Sequence, residues 1–236
     1  MDTVIQQPQR NQRPGIEDFY MKFRYSYFEV IEKRLWLLGI LIAIFVSFGG
    51  LAEIVPLFAA AHGVKAAEGV KPYTPLRLAG FETYVKSGCY TCHSQMIRHL
   101  GYETQRYGAA SSAEESVFDR PMQWGSKRTG PDLARIGGKY SDIWQLEHLK
   151  NPRNLVPESN MPNYDWLIDM PINVANVQGA MRAHQKLGAP YTEEEIAKAP
   201  QALEGKSQMD ALIAYLQGLG VDNVPVERRP QKESQL

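Results

Sequence analysis

Cys89-Tyr90-Thr91-Cys92-His93 sets two thiols three positions apart and follows them at once with an imidazole. On one helical turn both thiols face the same side. Both can then form thioethers with the vinyl groups of a single porphyrin, while His93 offers a ring nitrogen to the iron. The pattern is that of a covalent attachment site for haem c. Three other chemistries use these residue types. A thioredoxin-like redox pair belongs beside a βαβ pattern, and none follows here. A structural zinc site wants four ligands, and the chain has only two cysteines, so a second C-x-x-C is missing. A Cys89–Cys92 disulfide would close a small strained loop and leave His93 without a role.

An iron held by His93 has a sixth position to fill. The histidines His62, His99, His148 and His184 and the remaining methionines are the candidates. Met161 is the best placed. It lies in the polar, turn-rich stretch Pro157-Glu158-Ser159-Asn160-Met161-Pro162-Asn163-Tyr164, where proline on either side stiffens the loop. Thioether sulfur is a soft ligand that favours ferrous iron and raises the potential relative to two imidazoles. Met96 and His99 follow His93 too closely to cross to the distal face, and Met122, Met170, Met181 and Met209 read as packing residues. Gly130-Pro131-Asp132-Leu133 adds a third element. The Pro131 carbonyl is suited to accept the His93 Nδ1–H, which would fix the ring and raise its basicity. Leu133 would press on the haem plane. Trp124 and Arg128, with Lys127 between them, are candidate partners of the haem propionates, because buried carboxylates need donors or counter-charges.

The elements that must position these groups are helical. Leu76 to Lys86 carries Leu78, Phe81 and Val85 at helical spacing, and Gly88 lets the chain turn into the cysteine motif. Ser207 to Leu219 has Ser207 as N-cap, the stripe Met209, Leu212, Ile213, Leu216 and Leu219, and Gly220 as its stop. Terminal helices flanking such a motif resemble the class I cytochrome c fold, in which a glycine and an aromatic let the two helices cross. Gly80 with Tyr84, and Leu212 with Tyr215, fit that arrangement. Residues 170–200 read as an insertion carrying a helix that starts after Thr192, and Ala109–Val117 reads as a loop.

Leu35 to Ala52 contains no charged side chain, and apart from Glu53 the apolar run continues to Ala61. That length spans a hydrocarbon core of about 30 Å. A signal peptide is disfavoured because 34 residues precede the run, far beyond a usual n-region. Tyr20, Phe23, Tyr25, Tyr27, Phe28 and Trp36 form an aromatic belt before it. Glu53 is expected to reach headgroups or a neighbouring subunit, and Pro56 to bend or end the helix. Lys and Arg counts favour, slightly, an inside N-terminus. With 26 basic and 26 acidic side chains, no overall field argues for a nucleic-acid partner.

These readings give a mostly α chain: a single N-terminal transmembrane helix, then a class I cytochrome c-like domain with insertions. Its parts are a cytoplasmic segment 1–34, an anchor 35–61, a linker 62–74, a monohaem domain 75–220 and an irregular tail 221–236.

Three longer stretches resemble a known family. Gln123-Trp124-Gly125-Ser126-Lys127-Arg128-Thr129-Gly130-Pro131-Asp132-Leu133-Ala134-Arg135-Ile136-Gly137-Gly138-Lys139-Tyr140-Ser141-Asp142 is similar to the monohaem membrane-anchored subunit of cbb3-type cytochrome c oxidase. So are His148-Leu149-Lys150-Asn151-Pro152-Arg153 and Val156 through Leu167, and Arg106-Tyr107-Gly108 also fits. The resemblance covers roughly residues 20–220. It implies a bacterial inner-membrane complex with a catalytic subunit carrying b-type haems and copper, and a dihaem c-type subunit that accepts electrons. This chain would hold one haem c, with its haem domain in the periplasm, and relay electrons without reducing oxygen itself. A free-standing membrane-anchored cytochrome that shuttles between other complexes is the alternative.

Overall fold

The computed structural model describes residues 29–222 and 224, and it falls into two compact units, Met1–Gly63 and Val64–Leu236. The aromatic belt residues Tyr20 to Phe28, most of segment 1–34 and most of tail 221–236 lie outside the described residues. The first unit is dominated by α1 (Leu35–Gly63), a helix of 29 residues. Its Leu35–Pro56 portion has a mean hydropathy of 2.4 and is long and apolar enough to cross a membrane. Pro56 does not end this helix, which runs on through it to Gly63. Neighbouring turns of an apolar helix can absorb the carbonyl that proline leaves unpaired.

The second unit is built from helices and loops, with no strand among the described residues. Its helices are α2 (Pro75–Lys86), α3 (Gly101–Tyr107), α4 (Asp142–Lys150), α5 (Val174–Lys186), α6 (Glu193–Leu203) and α7 (Gln208–Gly218). Thr74 caps α2 by accepting from the Arg77 N–H, and Pro75 sits at the first helical position, where a missing N–H costs nothing. Ser207 and Asp210 form a reciprocal capping box on α7, and Gly220 beyond it holds a φ of 78°.

The core is the crossing of α2 and α7. A Cβ on Gly80 would lie 1.9 Å from the Ala211 carbonyl oxygen and 2.7 Å from Tyr215 Cβ, so only glycine permits this approach. Tyr84 and Tyr215 pack beside it with ring centroids 5.4 Å apart. Buried Leu78, Phe81, Met209, Leu212 and Leu216 close the interface. Complete burial of such side chains stabilises by about 1.5–3 kcal/mol each.

Residues 170–200 contain two helices where the sequence reading finds one. α5 and α6 pack on each other and on α2, burying Val177, Met181, Ile196, Ala199 and Leu203. Thr192 and Glu195 supply the capping box that starts α6. The end of segment 62–74 is also part of the core. Val70 and Tyr73 are buried, Tyr73 donates to Asp119 Oδ1 at 2.5 Å, and the Tyr191 hydroxyl reaches the Tyr73 carbonyl at 2.7 Å. An aromatic side chain satisfied at both its ring and its hydroxyl belongs to the domain rather than to a loose tether.

Candidate functional site

The Cys89–His93 motif forms directly off the end of α2. Gly88 takes a left-handed φ of 69°, which reverses the chain with no Cβ penalty. Cys89–Thr91 then makes a single 3₁₀ turn, closed by the Cys92 and His93 N–H groups on the Cys89 carbonyl at 3.1 and 2.9 Å. The turn holds both cysteines and His93 in one short arc. Cys89 is buried, Cys92 is half-buried, and the two are not joined as a disulfide. Burial pushes the Cys89 thiol up to about 12, so it stays protonated. The Tyr84 hydroxyl donates to the His93 carbonyl at 3.3 Å and ties the motif back to α2.

The His93 ring is held by the loop around Pro131. Its Nδ1 lies 2.8 Å from the Pro131 carbonyl, which leaves Nε2 as the ring's free coordinating atom. The loop around Pro131 is paired to the segment after the cysteines: Gly130 N–H donates to the Cys92 carbonyl at 3.1 Å, and Leu133 N–H to the Ser94 carbonyl at 2.9 Å. The fit is close. A Cβ on Gly130 would sit 2.3 Å from His93 Cε1.

Arg128 and Trp124 make protein contacts. Arg128 Nε donates to Ser94 Oγ at 2.8 Å, and its Nη2 to the Met96 carbonyl at 3.0 Å and to Glu103 Oε2 at 2.8 Å. Its guanidinium also lies over the Tyr107 ring at 5.0 Å. The Trp124 indole N–H donates to Ser116 Oγ at 2.9 Å. Leu133 is partly buried against the core.

Met161 lies in a loop whose C-terminal end is tied back to the preceding segment. Arg153 Nη1 donates to Asn163 Oδ1 at 2.9 Å, and the Tyr164 N–H to the Leu149 carbonyl of α4 at 2.9 Å. The Met161 N–H is held by Ser159 Oγ at 3.2 Å, and its side chain packs partly buried against the core. Burial first, then electrostatic coupling to Cys89 and Cys92, raises the Tyr164 phenol above its ordinary value.

His148 is a second imidazole near His93. It ends a column in which Tyr140 and Trp144 stack at 3.9 Å and Trp144 and His148 at 4.7 Å. Burial, and then repulsion from His93, lower it below its ordinary value, and its buried Nδ1 has no hydrogen-bond partner.

Several residues of this site have no signal in the sequence reading. Glu103 is fully buried, and Asp132 nearly so. Asp132 Oδ2 accepts from Ser94 Oγ at 2.6 Å and from the Met96 N–H at 3.0 Å, while Oδ1 accepts from the Ala134 N–H at 2.8 Å. Hydrogen bonds from Arg128, then Arg98, hold the Glu103 carboxyl well below the usual carboxylate range. Capping patterns and apolar periodicity cannot disclose such pairs, because the partners lie far apart in sequence.

The residues present fit one haem bound at this motif: two thiols and an imidazole in one arc, and an Nδ1 braced by the Pro131 carbonyl. No curated protein matches the chain. The family model for the mono-heme subunit of cytochrome c oxidase, FixO, matches residues 28–209. The chain belongs to this family of cytochrome c oxidase mono-heme subunits and is therefore a one-haem electron-transfer component of an oxidase.

Proposed function

We propose that this chain carries one haem c, covalently held by Cys89 and Cys92, with His93 and Met161 as axial ligands. It passes electrons within a cbb3-type oxidase from a dihaem cytochrome c subunit toward the catalytic subunit that holds b-type haems and copper. The observation that carries the reading is the His93 Nδ1 to Pro131 carbonyl distance of 2.8 Å, one residue beyond a paired-thiol turn. Cys89 and Cys92 would hold the haem through thioether links to its two vinyl groups. The bound haem supplies a one-electron iron couple. His93 would hold the iron through Nε2, Pro131 would keep the ring from turning, and Met161 would hold the iron through its thioether and deny that place to oxygen. Oxygen reduction is assigned to the partner subunit.

In this reading α1 anchors the chain in the bacterial inner membrane among lipid and its oxidase partners. The N-terminus is cytoplasmic and residues 75–220 form the periplasmic haem domain. Because Val70 and Tyr73 are core residues, the usable tether is shorter than segment 62–74.

Purification from membranes in mild detergent, with subunit identification and haem quantitation, tests the assignment. One covalent haem per chain, retained on denaturing gels and copurifying with larger haem and copper subunits, is expected. A chain that always isolates alone would sink the oxidase role and favour a free-standing shuttle. Haem lost on denaturation would sink covalent attachment. His148 carries a second reading of the distal ligand, favoured by its buried Nδ1, which has no hydrogen-bond partner. If exchange of His148, and not of Met161, removes the sixth ligand, that reading replaces the first.

A further inference from the structure

Arg128 sits at the centre of a charged cluster whose geometry has no need of a haem propionate. Its Nη2 lies 2.8 Å from Glu103 Oε2 and 3.4 Å from Asp132 Oδ2, and its Nε reaches Ser94. Glu103 also takes the Arg98 N–H at 2.9 Å and the Arg98 Nε at 2.6 Å. The cluster links three separate pieces: residues 94–98 just after the motif, α3, and the loop that carries Pro131. Ser94 Oγ belongs to it twice, accepting from Arg128 and donating to Asp132 at 2.6 Å.

We propose that Arg128, Glu103, Asp132 and Ser94 are positioning residues for the axial imidazole. Together they lock residues 130–134 against residues 92–96, so that the Pro131 carbonyl stays on His93 Nδ1 and the iron potential stays at the value that bond sets. The physics is local. A carbonyl on Nδ1–H raises the basicity of the imidazole, and a more basic ligand favours ferric iron. If the loop loosens, the bond lengthens and the potential rises. A forked, planar guanidinium suits the task because it fixes several acceptors at once, whereas an ammonium presents a point charge. The cluster's buried carboxylates make it stiff, since leaving either one unpaired in the interior is costly.

The proposal rests on His93 being the axial ligand. The test uses the full chain in its native membrane complex, with three variants that conserve charge: Arg128→Lys, Glu103→Asp and Ser94→Ala. Haem staining of the denatured chain comes first; absence of covalent haem in the parent protein would overturn the haem reading itself. With haem present, potentiometric titration is expected to show a midpoint shifted upward in all three variants, least in Ser94→Ala. The ferric electron paramagnetic resonance g-spread should move with it, because that spread follows imidazole orientation. If Arg128→Lys fails to accumulate, Ser94→Ala decides the matter, since it removes one hydroxyl and no charge. A lowered melting temperature with an unmoved midpoint and g-spread would reduce the cluster to a stability element and overturn the positioning role.

Discussion

Two loops carry the groups proposed to brace and to complete the iron site, and different forces hold them. The loop around Pro131 is tied to residues 92–96 by backbone pairing and by a network in which two buried acids meet the largely buried Arg128 and the exposed Arg98. The loop around Met161 is tied to α4 by one backbone bond, one exposed Arg153–Asn163 contact and the partial burial of Met161 itself. Breaking a buried pair strands a charge, at roughly 3–5 kcal/mol. Breaking an exposed hydrogen bond costs about 0.5–1.5 kcal/mol at most. The His93 side is therefore built to stay fixed, and the Met161 side to be the first to let go.

Met161→Ala gives the largest effect. It should leave folding nearly intact, open the sixth position to carbon monoxide, and lower the potential by more than about 59 mV, a tenfold change for a one-electron couple. Unchanged spectrum and potential would remove Met161 from the ligand set and turn attention to His148. Gly130→Ala strikes the opposite loop. Its Cβ would meet His93 Cε1 at 2.3 Å, so either the ring or the loop must move. Such overpacking costs about 1–3 kcal/mol, visible as a lower melting temperature together with a raised potential. A variant with both quantities unmoved would mean that the loop yields freely, and the contrast between the loops would fail.

Two buried acids sharpen the contrast through pH. Glu103, in the clasp, has its carboxyl pulled below the ordinary range, so its contribution is present above the unfolded carboxylate pKa and is lost only in strong acid. Asp119, beneath Tyr73, shows the reverse. Burial raises it to about 6, outweighing the hydrogen bonds from Tyr73 and Ser116 that pull it down. Its contribution is therefore full below about pH 4 and is lost as pH rises through 6. The size is on the order of 2–3 kcal/mol. Asp119→Asn keeps an acceptor for Tyr73 and should flatten the fall in stability between about pH 4 and 6. Thermal melts across that range check it. An identical slope in the variant would place the titration elsewhere.

Local features were open to reading in the sequence. The motif turn, the Gly80 crossing and the Ser207 cap each depend on neighbours within a few residues or on a recognised pairing of two helices, whereas the Pro131 contact, 38 positions from His93, is suggested by the Gly-Pro-x-Leu string that accompanies the cysteine motif. Tyr215 was visible beside Leu212, though it is Ala211 that Gly80 meets. The Arg128–Glu103 cluster has no such string: its partners lie 25 positions apart with no motif to pair them. Nothing in a polar loop announces which arginine a glutamate will meet. Its charge makes Arg128 a candidate propionate partner, while its geometry is set by Ser94, Glu103 and Asp132. Residues 170–200 were read as an addition with one helix. The apolar face of α5 and α6 is spent inward on α2, and the Tyr191–Tyr73 contact spans 118 positions.

The smallest expected effect is the most discriminating for the Met161 loop. Arg153→Ala removes one exposed hydrogen bond, to Asn163, and no buried group. Global stability should fall by less than about 1 kcal/mol. The loop, however, has few other ties, so local opening should become easier than global unfolding. In a denaturant titration of the ferric protein, the charge-transfer band that reports thioether ligation should vanish at a lower denaturant concentration than in the parent, while the helical signal keeps nearly its original midpoint. Ser94→Ala, made on the other loop, should leave those two transitions together. If Arg153→Ala also leaves them together, the Met161 loop is held mainly by the burial of Met161 against the core, and its looseness relative to the His93 side would have to be sought in packing rather than in hydrogen bonds.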